Sequence, residues 1–235
     1  MRLPRMAGFP ALALALVAGC GDDSSAPAEP TAEIRLLNGA SGAAALDLLV
    51  DGAVVVAGVP YEGSSDFSPV PAGSQEVAVR ESGTGAPVGT LDASLTAGSE
   101  YTLMAGGGSL QLATRTASDT GQARLDQANI RIVNIAPGFT DSASAPPPVP
   151  LDVHITPPGA DLAGHAPDLS LDARHPSYST LLYFDPGTWE VRFTDAGTTT
   201  VVAGTGALSI GAGAVRAVML EKPEGGDWTV AVVAE

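Results

Sequence analysis

The stretch Glu33-Ile34-Arg35-Leu36-Leu37-Asn38 returns later in the chain as Asn129-Ile130-Arg131-Ile132-Val133-Asn134. Other segments return around it in the same order. Leu46-Asp47-Leu48-Leu49-Val50 reappears as Leu151-Asp152-Val153-His154-Ile155, and Pro71-Ala72-Gly73-Ser74-Gln75-Glu76-Val77 as Asp185-Pro186-Gly187-Thr188-Trp189-Glu190-Val191. Leu95-Thr96-Ala97-Gly98 is echoed by Leu208-Ser209-Ile210-Gly211, and Tyr101-Thr102-Leu103-Met104 by Ala217-Val218-Met219-Leu220. Correspondences kept in one order mark an internal repeat, so the fold is to be read as two copies of one unit.

Each copy alternates as strands do. Leu46, Leu48 and Val50 share one face and Asp47 takes the other; Leu151, Val153 and Ile155 repeat this, with Asp152 and His154 turned outward. Pro-Ala-Gly and Asp-Pro-Gly are turn signals, because proline presets φ and glycine supplies positive φ. Gly (28) and Pro (19) are plentiful while aromatics make up only 5%, which favours short strands and tight turns over helices. A unit of about 100 residues with about seven short strands suits an immunoglobulin-like sandwich and is large enough to bury its own core. The expectation is therefore an all-β protein with two tandem immunoglobulin-like β-sandwich modules, residues 32–116 and 128–235, standing as separate beads about a polar linker at 117–127. The second copy is longer, its extra residues falling in Phe139–Pro150 and Thr156–Pro176.

The N-terminal segment carries a different signal. Arg2 and Arg5 precede an apolar run from Met6 to Gly19, and Val17-Ala18-Gly19 leads into Cys20, the single cysteine of the chain. This is the layout of a secretory signal, and the run is shorter than the roughly 20 residues a membrane span needs. Val17-Ala18-Gly19-Cys20 resembles the lipobox of bacterial lipoprotein precursors. The resemblance implies cleavage before Cys20 and diacylglycerol, with further acyl chains, on its thiol. Stable anchoring takes two or more chains, which a multiply acylated cysteine supplies. Residues 1–19 are thus expected to be a signal peptide and 20–31 a lipidated cysteine with an acidic, Pro-containing tether. Gly21 in place of Asp implies, by the same resemblance, the outer membrane or cell surface.

A formal net charge of −15 with one lysine, Lys222, excludes a basic nucleic-acid or anionic-lipid surface. One cysteine allows neither an internal disulfide nor a multi-thiolate metal site.

Arg-Leu-Leu-Asn at 35–38, Leu-Asp-Leu-Leu-Val-Asp-Gly at 46–52, Pro-Ala-Gly at 71–73 and Ala-Gly-Ser-Glu-Tyr-Thr-Leu at 97–103 together resemble domain-of-unknown-function family 4397. The resemblance is good in the first copy and looser in the second. It implies a β-sandwich of the kind found in bacterial envelope and secreted proteins, with no known activity, and supplies no catalytic residues.

Templates for chemistry fail. Gly-x-Ser-x-Gly, P-loop, His-Glu-x-x-His and EF-hand patterns are absent, and Gly204-Thr205-Gly206 and Gly211-Ala212-Gly213 read as turns. His154, His165 and His175 fall in the second copy among Asp161, Asp168 and Asp172. Their spacing is loose, so they read as solvated loop residues, with His165, Asp168, Asp172 and His175 as the candidate ligand loop and no metal ligand or catalytic residue assigned. Trp189, sharing a face with Val191 and Phe193, and Trp228, alternating with Val230 and Val232, read as core. Arg35 with Asp47 and Arg131 with Asp152 recur together and are expected to pair across neighbouring strands. Asn38 and Asn134 are expected to close strand ends through backbone bonds.

The function expected is non-catalytic. It is a lipid-anchored envelope protein without cofactor, presenting two modules as scaffold, spacer or adhesin-like binder to an envelope or extracellular partner. The alternative is capture of a sugar, peptide or divalent cation by loops of the second module.

Overall fold

The computed structural model describes residues 29–43, 45–106, 109–115, 123–135, 150–171, 177–221 and 227–235. The chain is all-β, and the described residues contain no helix.

The first unit comprises β1 (Thr31–Asn38), β2 (Ala45–Val50), β3 (Ala53–Pro60), β4 (Gly63–Ser64), β5 (Ser68–Pro71), β6 (Gly73–Glu81), β7 (Pro87–Leu95), β8 (Glu100–Gly106) and β9 (Ser109–Arg115). One sheet runs β4-β1-β8-β9 with β5 also on β1; the other runs β3-β2-β6-β7. Ile34, Leu36, Tyr101 and Leu103 from the first meet Leu46, Leu48, Val77 and Val79 from the second in one buried cluster. Each fully buried aliphatic side chain contributes about 1.5–3 kcal/mol relative to exposure. Tyr101 also accepts a bond from Thr96 N–H at 2.8 Å through its hydroxyl, tying the start of β8 to the preceding turn much as a tyrosine corner does.

The second unit repeats the plan. It comprises β10 (Ala128–Ile135), β11 (Leu151–Thr156), β12 (Leu169–Leu171), β13 (Ser177–Tyr178), β14 (Leu182–Phe184), β15 (Gly187–Asp195), β16 (Val201–Gly204), β17 (Leu208–Ile210), β18 (Val215–Glu221) and β19 (Thr229–Ala234). Its sheets run β13-β10-β18-β19 with β14 on β10, and β12-β11-β15-β16 with β17 on β15. Ile130, Ile132, Val153, Phe193 and Val218 form its core, with Trp189, Phe184 and Trp228 packed against it. The rings of Phe184 and Trp189 lie 5.0 Å apart, and Trp189 Nε1 donates to the Asp185 carbonyl at 2.9 Å.

Facing sheets are what the sandwich expectation requires. The wiring adds a detail that alternation alone does not encode. In each unit the first strand is interior to its sheet and runs parallel to the penultimate strand: β1 to β8, and β10 to β18.

That parallel pair explains a second departure. The units are not separate beads. β1, β8, β10 and β18 bury both faces. Leu37 and Met104, on the outer face of the first unit, pack with Val133, Ile135, Ala217, Met219, Ala231 and Val233 in a third apolar cluster between the units. Strands buried on both faces read as near-continuous apolar runs, as Ile132-Val133 and Ala217-Val218-Met219-Leu220 do. Beside this cluster, Ser64 Oγ donates to the Ala234 carbonyl at 2.6 Å, so β4 and β19 meet across the junction. A Cβ on Gly39 would stand 2.7 Å from Met219 Cε, which makes glycine the residue that lets the second unit's side chain approach.

Candidate functional site

The recurring arginines and aspartates do not pair with each other. β1 and β2 belong to opposite sheets of their sandwich, as do β10 and β11, so Arg35 and Asp47, or Arg131 and Asp152, cannot be cross-strand neighbours. Arg35 Nη2 instead reaches Glu235 Oε2 at 2.7 Å, and Arg131 Nε reaches Glu235 Oε1 at 3.0 Å, all three side chains being buried. Arg35 Nε donates to Thr102 Oγ1, its register partner on β8, at 3.0 Å. At the matching position beside Arg131 stands Ala217, and Arg131 turns instead to the Ser179 carbonyl at 3.0 Å and the Tyr178 ring at 4.2 Å. Burial, with the Glu235 carboxylate nearby, raises the Tyr178 phenol above its ordinary range, although the two arginines oppose the shift.

Asp47 finds Arg80, its cross-strand partner on β6, at 3.3 Å. Burial acts to raise its pKa, but the Gly58 N–H, the Ser82 side chain and Arg80 outweigh it and hold the carboxyl below its usual value. In the second unit Asp152 faces Thr194 rather than an arginine. It accepts from Ser170 Oγ at 2.6 Å and Gly197 N–H at 2.8 Å, and those two bonds depress its pKa. Asn38 closes its strand end as expected, donating to the Val59 carbonyl and accepting from Ala40 N–H, both at 3.0 Å.

The site with chemical potential lies on the outer face of the β11–β15 sheet. His154, read as an outward strand residue, does point away from the core, yet it is only 3% exposed. The connection from β11 to β12 folds over it. Leu162 anchors that connection by burial, and the Asp161 carboxylate turns it by accepting Ala163 N–H at 2.9 Å. Asp168 pins its far end, accepting Ile155 N–H at 2.7 Å while its own N–H donates to the Val153 carbonyl. This folding carries exposed His165 to His154. The two Nδ1 atoms are 3.4 Å apart, the rings inclined at 61° with centroids 5.6 Å apart. His154 Nε2 lies 3.3 Å from Thr194 Oγ1. Burial, with His165 beside it, lowers the pKa of His154.

An open groove of about 520 Å³ passes over the pair, lined by Asp152, His154, His165 and Thr198 to Thr200 among others. Of the ligand loop expected from sequence, His165 borders this groove and Asp168 serves the backbone. Asp172 and His175 lie outside the described residues, as does Cys20. Among the described residues, no three His, Cys, Asp or Glu side chains converge as metal ligands. The sequence reading missed the His154–His165 contact and the Arg80 partner of Asp47. Only the outward position of His154 pointed toward the first.

No helix among the described residues is long and apolar enough to cross a membrane. No curated protein matches the sequence. One similar solved structure is a family 26 carbohydrate-binding module (CBMbc) from Amy13K of Eubacterium rectale, in complex with maltoheptaose. It is 10% identical, with 87% of this chain and 96% of that one covered, at a TM-score of 0.26. Residues 32–141, which take in the first unit and β10, match the family described as Domain of unknown function (DUF4397).

Proposed function

We propose that the chain is a non-catalytic cell-envelope lipoprotein. Lipid on Cys20 would hold it to a membrane, at the outer membrane or cell surface, and it would present its two β-units as one spacer or scaffold for an envelope partner. The observation that carries this reading is the cluster shared by the two units. A body whose halves share an apolar core and a buried Arg–Glu–Arg contact keeps a fixed span between tether and far end, which suits presentation at a surface. The tethered beads expected from the repeat would swivel. Absence from the sequence of a nucleophile elbow, P-loop or zincin motif agrees with a non-catalytic role.

The test is fractionation of cells expressing the full precursor, with labelled palmitate. The reading expects label on the wild type in the membrane fraction. Cys20→Ser should lose the label and become soluble while keeping its β-sheet circular dichroism. A Cys20→Ser chain that stays with membranes, or a wild type without label, would overturn the anchor.

A further inference from the structure

We propose that the groove over β11 and β15 binds a divalent transition-metal cation of the zinc type, held by Nδ1 of His154 and Nδ1 of His165. This goes beyond presentation at a surface and does not rest on it.

Distance is the first argument. The two nitrogens stand 3.4 Å apart. Zinc–nitrogen bonds of about 2.0–2.1 Å at a tetrahedral angle put two ligand nitrogens about 3.3–3.4 Å apart, so the observed gap is already the edge of such a site.

Orientation is the second. His154 is buried, and its Nε2 lies against Thr194 Oγ1. The tautomer that donates Nε2–H to Thr194 leaves the Nδ1 lone pair facing His165. Ligating histidines are typically held in this way, by an acceptor on the other ring nitrogen. Without a metal, the two Nδ1 atoms can satisfy each other only by sharing one proton. A cation that displaces that proton takes up both lone pairs.

Surroundings supply the rest. The groove is open, so solvent can complete the coordination, and the threonines at 198 to 200 line the groove with hydroxyls able to bond such waters. The Asp152 carboxylate, held by Ser170 and Gly197, adds negative charge without being a ligand. Among the described residues, the cation Arg192 stands opposite His154 on β15. Its charge is met by Glu190 at 3.6 Å, and its Nη2 is turned to Thr156 Oγ1 at 2.7 Å. With two protein ligands the affinity should fall below that of closed four-ligand structural zinc sites.

The test is calorimetric titration of the full, tag-free chain with Zn²⁺ alone, alongside histidine ring NMR. Saturable binding of one ion is expected, with the His154 and His165 signals moving together. His165→Ala, a change at an exposed side chain, should weaken binding about tenfold or more. Absence of saturable binding, affinity unchanged in His165→Ala, or affinity lost only in His175→Ala would each overturn the proposal.

Discussion

Arg35 and Glu235, 200 residues apart in sequence, meet at 2.7 Å in the seam between the two units. The other oxygen of the same carboxylate takes Arg131, so one acid bridges an arginine from each unit. The arginine that occurs at similar places in the two units is also the one that joins them.

Removing Glu235 should therefore cost more than losing a surface acid. Both arginines would be left buried without their anion, and breaking a buried pair costs about 3–5 kcal/mol. Glu235→Ala is expected to lower stability by that amount in urea denaturation. Replacing the set together, Arg35→Met with Arg131→Met and Glu235→Leu, should be near neutral or stabilising, because desolvation of three charges is no longer required.

The apolar part of the seam has its own test. Met104 belongs to the first unit, whereas both tryptophans, Trp189 and Trp228, pack against the core of the second. Met104→Ala should cost about 2–5 kcal/mol as a buried large-to-small change. The account expects this loss to appear in the tryptophan fluorescence transition, although no tryptophan belongs to the mutated unit. A transition left unmoved would mean that the units unfold independently.

Acid should reveal Asp47. Despite burial, its carboxyl is held below the ordinary aspartate value in the folded chain by the Gly58 N–H, the Ser82 side chain and Arg80. A carboxylate with a depressed folded pKa contributes stability above its unfolded pKa, and that contribution is lost as pH falls through the folded value. Stability should therefore drop below about pH 4. Asp47→Asn should flatten that limb of the pH–stability curve, with little change in its slope near neutrality.

Gly106 ends β8 against the second unit, and a Cβ there would collide with the Glu221 carboxylate. Gly106→Ala should destabilise by about 1–3 kcal/mol through overpacking. Gly52→Val would test something different, since its φ of +77° strains any side chain while nothing lies within reach of a Cβ.

Much of the sandwich was legible because alternation is local. Leu46, Leu48 and Val50 do face the core, and Val191 and Phe193 do likewise. What alternation cannot give is the sheet to which the next strand crosses. For that reason the Arg35–Asp47 pairing failed, and Arg80, the true partner, went unnoticed in a different segment. The buried seam left a trace in the apolar pair Ile132-Val133 and the unbroken apolar run at 217–220, where a half-exposed strand would place polar residues. The His154–His165 contact left almost none. It depends on the path of a loop anchored by Leu162 and Asp168, which strand periodicity does not encode.

The central claim is that the two units form one body. Residual dipolar couplings measured on residues 29–235 test it most directly. The account predicts that a single alignment tensor fits the amides of both units, with Glu235→Ala raising the discrepancy between them. Two tensors of different magnitude in the wild type would contradict it and return the chain to two beads on a string.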